Sequence, residues 1–381
     1  MHIGFITPEY PHPKLTNSGG LGTSIKNLAH ALVQEGVEVS VFVIGLDRSE
    51  SFVEDQIQFH FIQKFKVPGI TWFVTRKYYQ NLINKIVESN CIDLLEAPDW
   101  TGITAFMKFK VPLIIRCHGS DAYFCKLEGR KQKWKNFWFE KNALKDADEV
   151  IAASSFTGRL TKEIFELKKE IITLYNGVDI NKFKPAISSS KSEENSILYF
   201  GTVIRKKGVL ELAKAYNIFK ENNPDAILKI IGKDTIDIFE NRSTLEMFYL
   251  LVTPSNLESI EYLDHISYSE ISKEISKAKV IVLPSFAEAF PMTWLEAMAM
   301  EKAMVTSNIG WAKEMMIDGE TGYMVNPKDH QEFAEKMTTL FKDDNLRNTF
   351  GESAREKVVN NFSSEITTSK NMKYYQSLIS K

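Results

Sequence analysis

Cysteine and long apolar runs are both scarce in this sequence of 381 residues. Its three cysteines, Cys91, Cys117 and Cys125, cannot all pair with one another, and none stands in a C-x-x-C or other metal-binding spacing. We therefore expect reduced thiols in a reducing compartment. No run approaches the roughly 18 apolar residues of a membrane-spanning helix. The start, MHIGFITPEYPHP, lacks the basic and apolar segments of a signal peptide. These absences predict a cytoplasmic protein.

Excess charge of either sign is also lacking. Lys and Arg number 47 and Asp and Glu number 49, which gives a net charge of −2. A dedicated nucleic-acid-binding protein would be clearly basic, so this class is excluded. The hydrophobic fraction of 44% and the charged fraction of 25% are ordinary for globular proteins and exclude global disorder. Because the chain is long for one compact core, we expect two domains.

Short apolar runs alternate with longer amphipathic ones, which is the pattern of βαβ units around a parallel sheet. One series of predicted strands runs from HIGFIT (2–7) to VPLIIRC (111–117), and a second runs from SILYFG (196–201) to AMVTS (303–307). Between the two series, hydrophobic periodicity disappears and Ser, Lys and Glu dominate, which predicts a linker. The fold class is therefore α/β, with two doubly wound, Rossmann-like domains.

The domain boundaries follow from these two series. We expect a first domain over residues 1–178, a linker over 179–195 and a second domain over 196–363. The helical tail over 364–381 is expected to pack back on the first domain. Two such domains would face each other across a cleft at the carboxyl ends of their strands, where open α/β sheets bind ligands.

The strongest chemical signal is PSFAEAFPMTWLEAMAM, residues 284–300, which carries an E-x7-E pattern. A predicted strand ends at Pro284, Glu288 lies in a short loop, and Pro291 stands where a helix would begin. Glu296 falls in the second turn of that helix. A helix start at the cleft offers free N–H groups and a positive dipole end to a diphosphate. The alternative is an ordinary helix with two solvated glutamates.

Further motifs accompany this pattern in a fixed order. They are GGLGTSIKNLAHAL (19–32), RCHGSDAYF (116–124), YNGVD (175–179), FGTVIRKKGVLELAKAY (200–216) and EMMIDGETGYMV (314–325). Taken together with the E-x7-E element, they resemble the retaining family-4 glycosyltransferases of the two-domain GT-B type, also called group 1 glycosyltransferases. The resemblance extends over nearly the whole chain.

The resemblance implies residues that bind a nucleotide-sugar donor. Lys207 and a nearby arginine would clamp the diphosphate and stabilise the charge that develops on the leaving group. Where the family usually has an arginine after the glycine of this motif, the chain has Thr202, and Arg205 could substitute for it. Glu288 would meet the hydroxyls of the donor sugar. The remaining donor contacts implied are Gly19, Gly20, Thr202, Phe290, Pro291, Met292, Thr293 and Glu296.

The glycines at 19, 20 and 22 could instead belong to a dinucleotide fingerprint of a dehydrogenase. That fingerprint lies in the tight turn directly after the first strand, whereas Gly19 comes about a dozen residues later. Ile25 also holds the place of the third glycine. We reject this alternative, since a loop whose backbone N–H groups approach a diphosphate or an acceptor fits the resemblance better.

Polar residues also follow the predicted strands of the first domain. His118 comes directly after one strand, and the resemblance places it beside the donor sugar as a catalytic residue. Asp121 is close enough in sequence to orient His118. Asp99 follows another strand end, and we expect Asp99 and Asp121 to lie on the acceptor side.

The D-A-D string at 146–148 matches the D-x-D metal motif of a different glycosyltransferase fold. It stands at the end of a predicted helix and fits a structural turn better than a metal site. Lys207 and a helix dipole can supply the positive charge, so we expect no metal and no cofactor beyond a UDP- or GDP-linked sugar as co-substrate.

The segment KLEGRKQKWKNFWFEKNALK (126–145) carries seven Lys or Arg and four aromatic residues. It could rest on anionic lipid as an interfacial helix. Alternatively its aromatic residues face the domain core and its lysines face water. Peripheral membrane association therefore stays open at this point.

The predicted activity is a metal-independent, retaining transfer of a sugar, of the hexosyltransferase type, to a glycan or lipid-linked acceptor. A role in envelope or capsule polysaccharide biosynthesis follows only from the commonest roles of the family. Three alternatives remain: a phosphorylase on the same fold, a nucleotide-sugar epimerase, and a catalytically silent nucleotide-sugar-binding protein, which Thr202 brings into consideration. The base, the sugar, the acceptor, the linkage and the oligomeric state are not encoded in any motif that we recognise.

Overall fold

A computed structural model describes residues 1–15, 18–65, 71–185, 195–264, 266–267 and 270–380. The chain divides into two compact units, the first formed by Met1–Gly177 with Ser364–Lys381 and the second by Val178–Ser363. Much of the predicted linker over 179–195 lies outside the described residues.

The first unit is built on a mainly parallel sheet. Within the described residues its strands are β1 (His2–Thr7), β2 (Glu38–Leu46), β3 (Glu50–Glu54), β4 (Ile57–Gln63), β5 (Leu94–Pro98), β6 (Leu113–Cys117), β7 (Glu149–Ala152) and β8 (Ile172–Thr173). They are ordered β3-β4-β2-β1-β5-β6-β7-β8, and only β3 pairs antiparallel. Its helices up to this point in the chain are α1 (Gly20–Gln34), α2 (Thr71–Ser89), α3 (Asp121–Glu128), α4 (Trp134–Asp146) and α5 (Ser155–Phe165).

The second unit contains a parallel sheet ordered β11-β10-β9-β12-β13-β14. Its strands are β9 (Ser196–Phe200), β10 (Ile227–Ile231), β11 (Ile260–Leu263), β12 (Val280–Leu283), β13 (Met304–Ser307) and β14 (Tyr323–Val325). Its helices are α6 (Val209–Asn222), α7 (Thr244–Leu251), α8 (Ile271–Lys277), α9 (Met292–Ala299), α10 (Ala312–Met315), α11 (His330–Lys342) and α12 (Asp344–Asn361). The prediction of two doubly wound α/β units is confirmed.

The strand order of each sheet fixes where a ligand can bind. In the second unit the order reverses direction between β9 and β12, and in the first unit between β1 and β5. At such a switch point the loops that leave the two neighbouring strands diverge and open a crevice beyond the carboxyl ends of the strands. The loops after β9 and β12 contain Lys207 and Glu288, and the loop after β5 contains Asp99.

The last helix, α13 (Ser364–Ile379), belongs to the first unit. Tyr375 and Leu378 are buried there in one hydrophobic cluster with strand residues such as Ile114. Beside this cluster, Arg116 of β6 donates to both carboxylate oxygens of Glu96, at 2.7 and 2.9 Å, and both side chains are almost fully buried. The Tyr375 hydroxyl donates to Glu96 at 2.6 Å and accepts from Arg116 at 3.1 Å. The tail is thus joined to the sheet by hydrogen bonds between Tyr375 and a buried ion pair of the strands.

The Arg116–Glu96 pair generates a stability prediction. Burial opposes the charge of Arg116, but Glu96 and Tyr375 outweigh it and raise the arginine pKa above its ordinary value. We expect Arg116→Met to lower the free energy of unfolding by about 3–5 kcal/mol, since Glu96 would remain as an uncompensated buried charge.

Denaturant unfolding measures this loss, and the variant Arg116→Met with Glu96→Gln should recover part of it. The control is Lys110→Met, because the Lys110–Glu88 pair is more than half exposed and should contribute less than about 1 kcal/mol. Equal stability of Arg116→Met and the control would contradict the assigned role.

Candidate functional site

Lys207 is positioned by a short 3-10 turn, Arg205–Lys207, that follows β9. The carbonyl of Lys206 accepts the amide of Phe286 at 2.7 Å, which ties this turn to the loop after β12. Gly208 then takes a positive φ of 75°, and a side chain there would place a Cβ only 2.0 Å from the carbonyl oxygen of Pro284. Glycine is therefore required for the close approach of the two loops.

The two loops bring the predicted Lys207 and Glu288 together. Their Nζ and Oε1 atoms lie 2.6 Å apart, and the side chains are 21% and 10% exposed. Ser285 donates a hydrogen bond to the same Glu288 oxygen at 3.0 Å. A partly buried carboxylate needs such partners, because desolvation disfavours an isolated charge. The switch point of the second sheet thus holds a cation and an anion that retain some access to solvent.

Helix α9 begins directly after Pro291, which is its N-cap residue. Except for Thr293, every residue of the helix is buried, and Glu296 is only 4% exposed. The methyl group of Thr293 lies 3.8 Å from the position that a Cβ on Gly201 would take, so the start of α9 adjoins the end of β9. A carboxylate is rarely buried in a helix for packing alone.

The other predicted donor residues of this unit differ in exposure. Phe290 and Met292 are buried, at 4% and 7% exposed, and the ring of Phe290 packs edge-on against Phe362 with centroids 5.4 Å apart. Thr202 is exposed, and its carbonyl accepts the Tyr199 hydroxyl at 2.8 Å.

Arg205 is paired with a different carboxylate. Its Nε and Nη2 atoms donate to the two oxygens of Asp237 at 2.7 and 3.0 Å. Asp237 is 1% exposed and also accepts the amides of Phe239 and Glu240. Arg205 therefore neutralises a buried carboxylate after β10, and only Lys207 of the two predicted cations contacts Glu288.

In the first unit, His118 directly follows β6, and its backbone is held by a residue that follows β5. The His118 amide donates to Asp99 Oδ1 at 2.9 Å. The imidazole makes no hydrogen bond to any residue that the structure describes. Burial, together with the charge of Arg116, lowers the His118 pKa to about 3. The ring is therefore neutral at physiological pH, and it can donate or accept a hydrogen bond but is a weak base.

A second carboxylate, Glu140 of α4, supports the same loop and was not predicted. One of its oxygens accepts the amides of Thr101 and Asp121 at 3.0 and 2.9 Å, and the other accepts the amide of Ala122 at 3.1 Å. Glu140 is fully buried. A sequence signal was present, since a glutamate on the apolar face of an amphipathic helix rarely serves packing alone.

The carboxylate that binds the His118 amide is that of Asp99, and not that of Asp121 as expected. Its oxygens accept from Asn136 at 3.0 Å and from Arg130 at 3.5 Å, so its carboxylate links α3 to the start of α4. Asp99 is fully buried, and its Oδ2 has no hydrogen-bond partner among the described residues. The geometry makes Asp99 a support of the His118 backbone.

The glycine loop before α1 also has an unpredicted carboxylate partner. Glu9 Oε1 accepts the amides of Gly19 and Gly22, each at 2.9 Å. These donors belong to the start of α1, where N–H groups lack helical partners and the helix dipole favours an anion. An anionic ligand at Gly19 would therefore compete with Glu9. Gly20 is exposed.

The D-A-D string contains no metal-like cluster. Asp146 is exposed at the end of α4, and Asp148 accepts the amide of Leu113 at 2.8 Å, as a structural turn would. Among the residues described, no group of three His, Cys, Asp or Glu side chains is placed to hold a metal ion. No helix in the described ranges combines the length and the apolar character needed to span a bilayer.

Two family models match the chain in succession. Residues 18–182 match the model of glycosyltransferase family 4, and residues 181–357 match that of glycosyl transferases group 1. An uncharacterised glycosyltransferase of Methanocaldococcus jannaschii is 27% identical over 359 residues, which cover 92% of each chain.

Two further comparisons concern one relative by sequence and one solved structure. The capsular polysaccharide biosynthesis glycosyltransferase CapM of Staphylococcus aureus is 30% identical over 251 residues, which cover 60% of this chain and 62% of CapM. The crystal structure of HepE from Anabaena in complex with UDP-glucose superimposes with a TM-score of 0.75, covering 99% of this chain and 100% of that chain. At 19% identity, this likeness shows a shared fold.

The two supporting carboxyls of the His118 loop generate a pH prediction. Burial and the nearby charge of Glu140 raise the pKa of Asp99 to about 8, and burial raises that of Glu140 to about 7. Each group binds its proton more tightly in the folded state, so its contribution to stability is lost as the pH rises through these values. A histidine of the unfolded chain, with a pKa of about 6.5, still releases protons up to about pH 7.5, and this release offsets only part of the loss.

We therefore expect the free energy of unfolding to fall between about pH 6.5 and pH 8. Asp99→Asn keeps a similar shape without the ionisation and should flatten this fall. Denaturant unfolding at several pH values measures the slope. A slope that is identical in Asp99→Asn would show that Asp99 does not titrate in this range.

Proposed function

Because this chain belongs to the family-4 glycosyltransferases of the GT-B type, we propose that it transfers a sugar from a nucleotide-diphosphate donor with retained anomeric configuration. The reaction would need no metal ion, and the acceptor would be a glycan or a lipid-linked glycan. The observation that carries this proposal is the Lys207–Glu288 pair at the switch point of the second sheet, with Glu296 buried in the adjoining helix α9.

Each member of this group suits one part of a nucleotide sugar. The Lys207 ammonium would contact the diphosphate, and Glu288, released from Lys207, would accept hydrogen bonds from hydroxyls of the donor sugar. Glu296 would accept from the ribose hydroxyls. Phe290 and Pro291 lead into α9, and Met292 and Thr293 are its first residues, whose N–H groups suit the diphosphate.

Positive groups at the diphosphate would neutralise its charge, as a metal ion could. Charge develops on the leaving phosphate in the transition state, and a preorganised cation there contributes several kcal/mol. Lys207 and the positive end of the α9 dipole supply such groups. Arg205 would add a second cation only after leaving Asp237, and this exchange would have a cost because Asp237 is buried.

Retention is favoured by the properties of His118. An inverting transferase needs a general base for the proton of the acceptor, and a pKa of about 3 makes the His118 imidazole a weak one. A double displacement would need a carboxylate nucleophile at the anomeric carbon, whereas we assign Glu288 to hydroxyls of the donor sugar. We propose that the acceptor attacks from the face that the leaving group departs from, and that the departing phosphate takes the proton. His118 would then hydrogen-bond the donor sugar.

The chemical class of the substrates is inferred from relatives. HepE binds UDP-glucose, which supports a UDP-linked donor here, and a GDP-linked donor stays the alternative. CapM is named for capsular polysaccharide biosynthesis, which supports a glycan or lipid-linked acceptor. Asp99 and Asp121 would act on the acceptor side through the backbone that they support, since their carboxylates bind protein groups.

The test is a transfer assay with UDP- and GDP-linked sugars, with and without glycan acceptors, in excess EDTA. We expect an acceptor-dependent product that forms at the same rate with and without EDTA. NMR of the product should show an α-linkage from an α-linked donor.

Other outcomes would separate the alternatives. A β-linkage would mean inversion, and activity that returns only with Mn²⁺ or Mg²⁺ would overturn metal independence. Sugar phosphate formed from a glycan and inorganic phosphate would indicate a phosphorylase. An altered nucleotide sugar without acceptor would indicate an epimerase, and nucleotide binding without any product would indicate a silent binding protein.

The roles of the two cations are tested by matched variants. We expect Lys207→Met to lower turnover by about 100-fold, because one preorganised charge-stabilising group is lost. Arg205→Met should lower turnover less but reduce thermal stability, since Asp237 would lose its ion-pair partner. The control Lys214→Met removes a half-exposed lysine that pairs with Glu211 on α6 and should leave turnover unchanged. Unimpaired turnover in Lys207→Met would contradict the diphosphate assignment.

A further inference from the structure

The first unit carries an exposed group of aromatic side chains at the starts of α2 and α4. Trp134, Phe73 and Trp138 are 77%, 45% and 39% exposed. Ring centroids are 6.5 Å apart for Trp134 and Trp138, 5.9 Å for Trp72 and Trp138, 5.6 Å for Trp72 and Phe73, and 4.7 Å for Phe106 and Trp138. These five residues form one continuous aromatic surface. Grouped exposed rings of this kind mark an interaction site.

The core does not require this surface. Helix α4 contributes Phe139, Ala143 and Leu144 to the hydrophobic core, and Phe137 stacks on Phe165 with centroids 5.0 Å apart. The interpretation of segment 126–145 as a core-facing helix is therefore correct for these residues. It fails for Trp134, which points away from the core and is mostly in solvent.

Three lysines flank Trp134 of the aromatic surface in the sequence. Lys131, Lys133 and Lys135 are all exposed, and none forms an ion pair with a carboxylate in the described part of the chain. The nearby Glu128 is already paired with Arg130. The surface therefore presents positive charge that no described protein carboxylate neutralises.

The position of these lysines is unfavourable for the helix itself. Lys133 is the N-cap residue of α4 and makes no capping hydrogen bond, and the first turn contains no acidic residue. A helix start favours negative charge, so lysines there weaken α4. Lys135 contributes one contact, since its Nζ atom lies 5.7 Å from the centroid of the Phe139 ring. A partner with negative charge would explain why a lysine occupies the N-cap position of α4.

We propose that the aromatic surface and its three lysines dock the protein on an anionic lipid membrane. Tryptophan prefers the level of the lipid headgroups, where its ring is partly apolar and its N–H reaches water. Lysine side chains can extend to anionic headgroups while their stems lie against the rings. The charge complementarity favours a bilayer of this composition over an acidic or neutral protein surface, because flexible, hydrated lysines suit a fluid array of headgroups.

The proposal is independent of the transferase reaction, since binding is measured without donor or acceptor. The full chain is sedimented with vesicles of phosphatidylcholine mixed with phosphatidylglycerol, and with vesicles of phosphatidylcholine alone. We expect binding to the anionic vesicles that weakens as salt rises from about 0.01 to about 1 M, because the Debye length falls from about 30 to about 3 Å.

Two variants of the surface test its parts. Lys131→Ala, Lys133→Ala and Lys135→Ala together should weaken binding by about 100-fold, at about a fivefold effect for each lysine near an anionic surface. Trp134→Ser should weaken binding and reduce the shift of tryptophan fluorescence to shorter wavelength on vesicle addition. Neither variant changes the proposed catalytic residues, so turnover with a soluble acceptor should be unchanged.

Matched controls remove similar groups elsewhere. Lys168, Lys273 and Lys370 are exposed lysines outside the surface, and their combined replacement by alanine makes the same change of charge. Leu250→Ser removes an apolar side chain of the second unit that is 69% exposed. Both controls should bind vesicles like the unaltered chain, and thermal unfolding checks that all variants are folded.

Several results would overturn the proposal. They are an absence of vesicle binding, equal losses in the surface variants and the controls, and equal binding to neutral and anionic vesicles. Two further results would assign the surface to another partner: self-association that Trp134→Ser abolishes while vesicles stay unbound, and binding only to a soluble acidic polysaccharide.

Discussion

A charge removed from water must find an opposite charge or several hydrogen bonds, and both units meet this requirement. Arg116 and Glu96 pair within strands of the first unit, where Asp99 and Glu140 instead accept backbone amides. In the second unit Lys207 pairs with Glu288. The first pair is enclosed by the sheet, whereas Lys207 and Glu288 lie in the loops that follow β9 and β12. The proposed site therefore lies where the loops, and not the strands, hold the charges.

The buried pairs differ in how easily their partners can be exchanged. Arg116 and Glu96 are enclosed, so no ligand can replace either partner. Lys207 and Glu288 retain some exposure, and a phosphate could replace the carboxylate beside Lys207 while sugar hydroxyls replace the ammonium beside Glu288. Such an exchange would replace one favourable contact of each side chain by another. Glu9, on two glycine amides, is a comparable partner for an anion in the first unit.

Strong periodicity made most of the fold predictable. The strands at 2–7, 111–117 and 196–201 were expected within a residue or two of their observed bounds, because each is a run of buried apolar residues. Strand β3 (Glu50–Glu54) was not predicted, since ESFVE is polar and mostly exposed and is ordered by antiparallel pairing with β4 at the sheet edge. The tail over 364–381 was predicted to be helical, and helix α13 spans Ser364–Ile379.

The proposed site was predictable only where the sequence determines the backbone. Lys207 and Glu288 were each identified from a local motif, and they meet because β12 lies beside β9, where Gly208 approaches Pro284 closely. The partner of Arg205 was not identified from any motif. Asp237 is 32 residues further on, and it meets Arg205 only because β10 lies beside β9 in the sheet. Glu140 likewise reaches the His118 loop through the packing of α4, at a separation that no local pattern encodes. Local spacing can therefore identify a charged residue as functional, but which opposite charge it meets is decided by strand order.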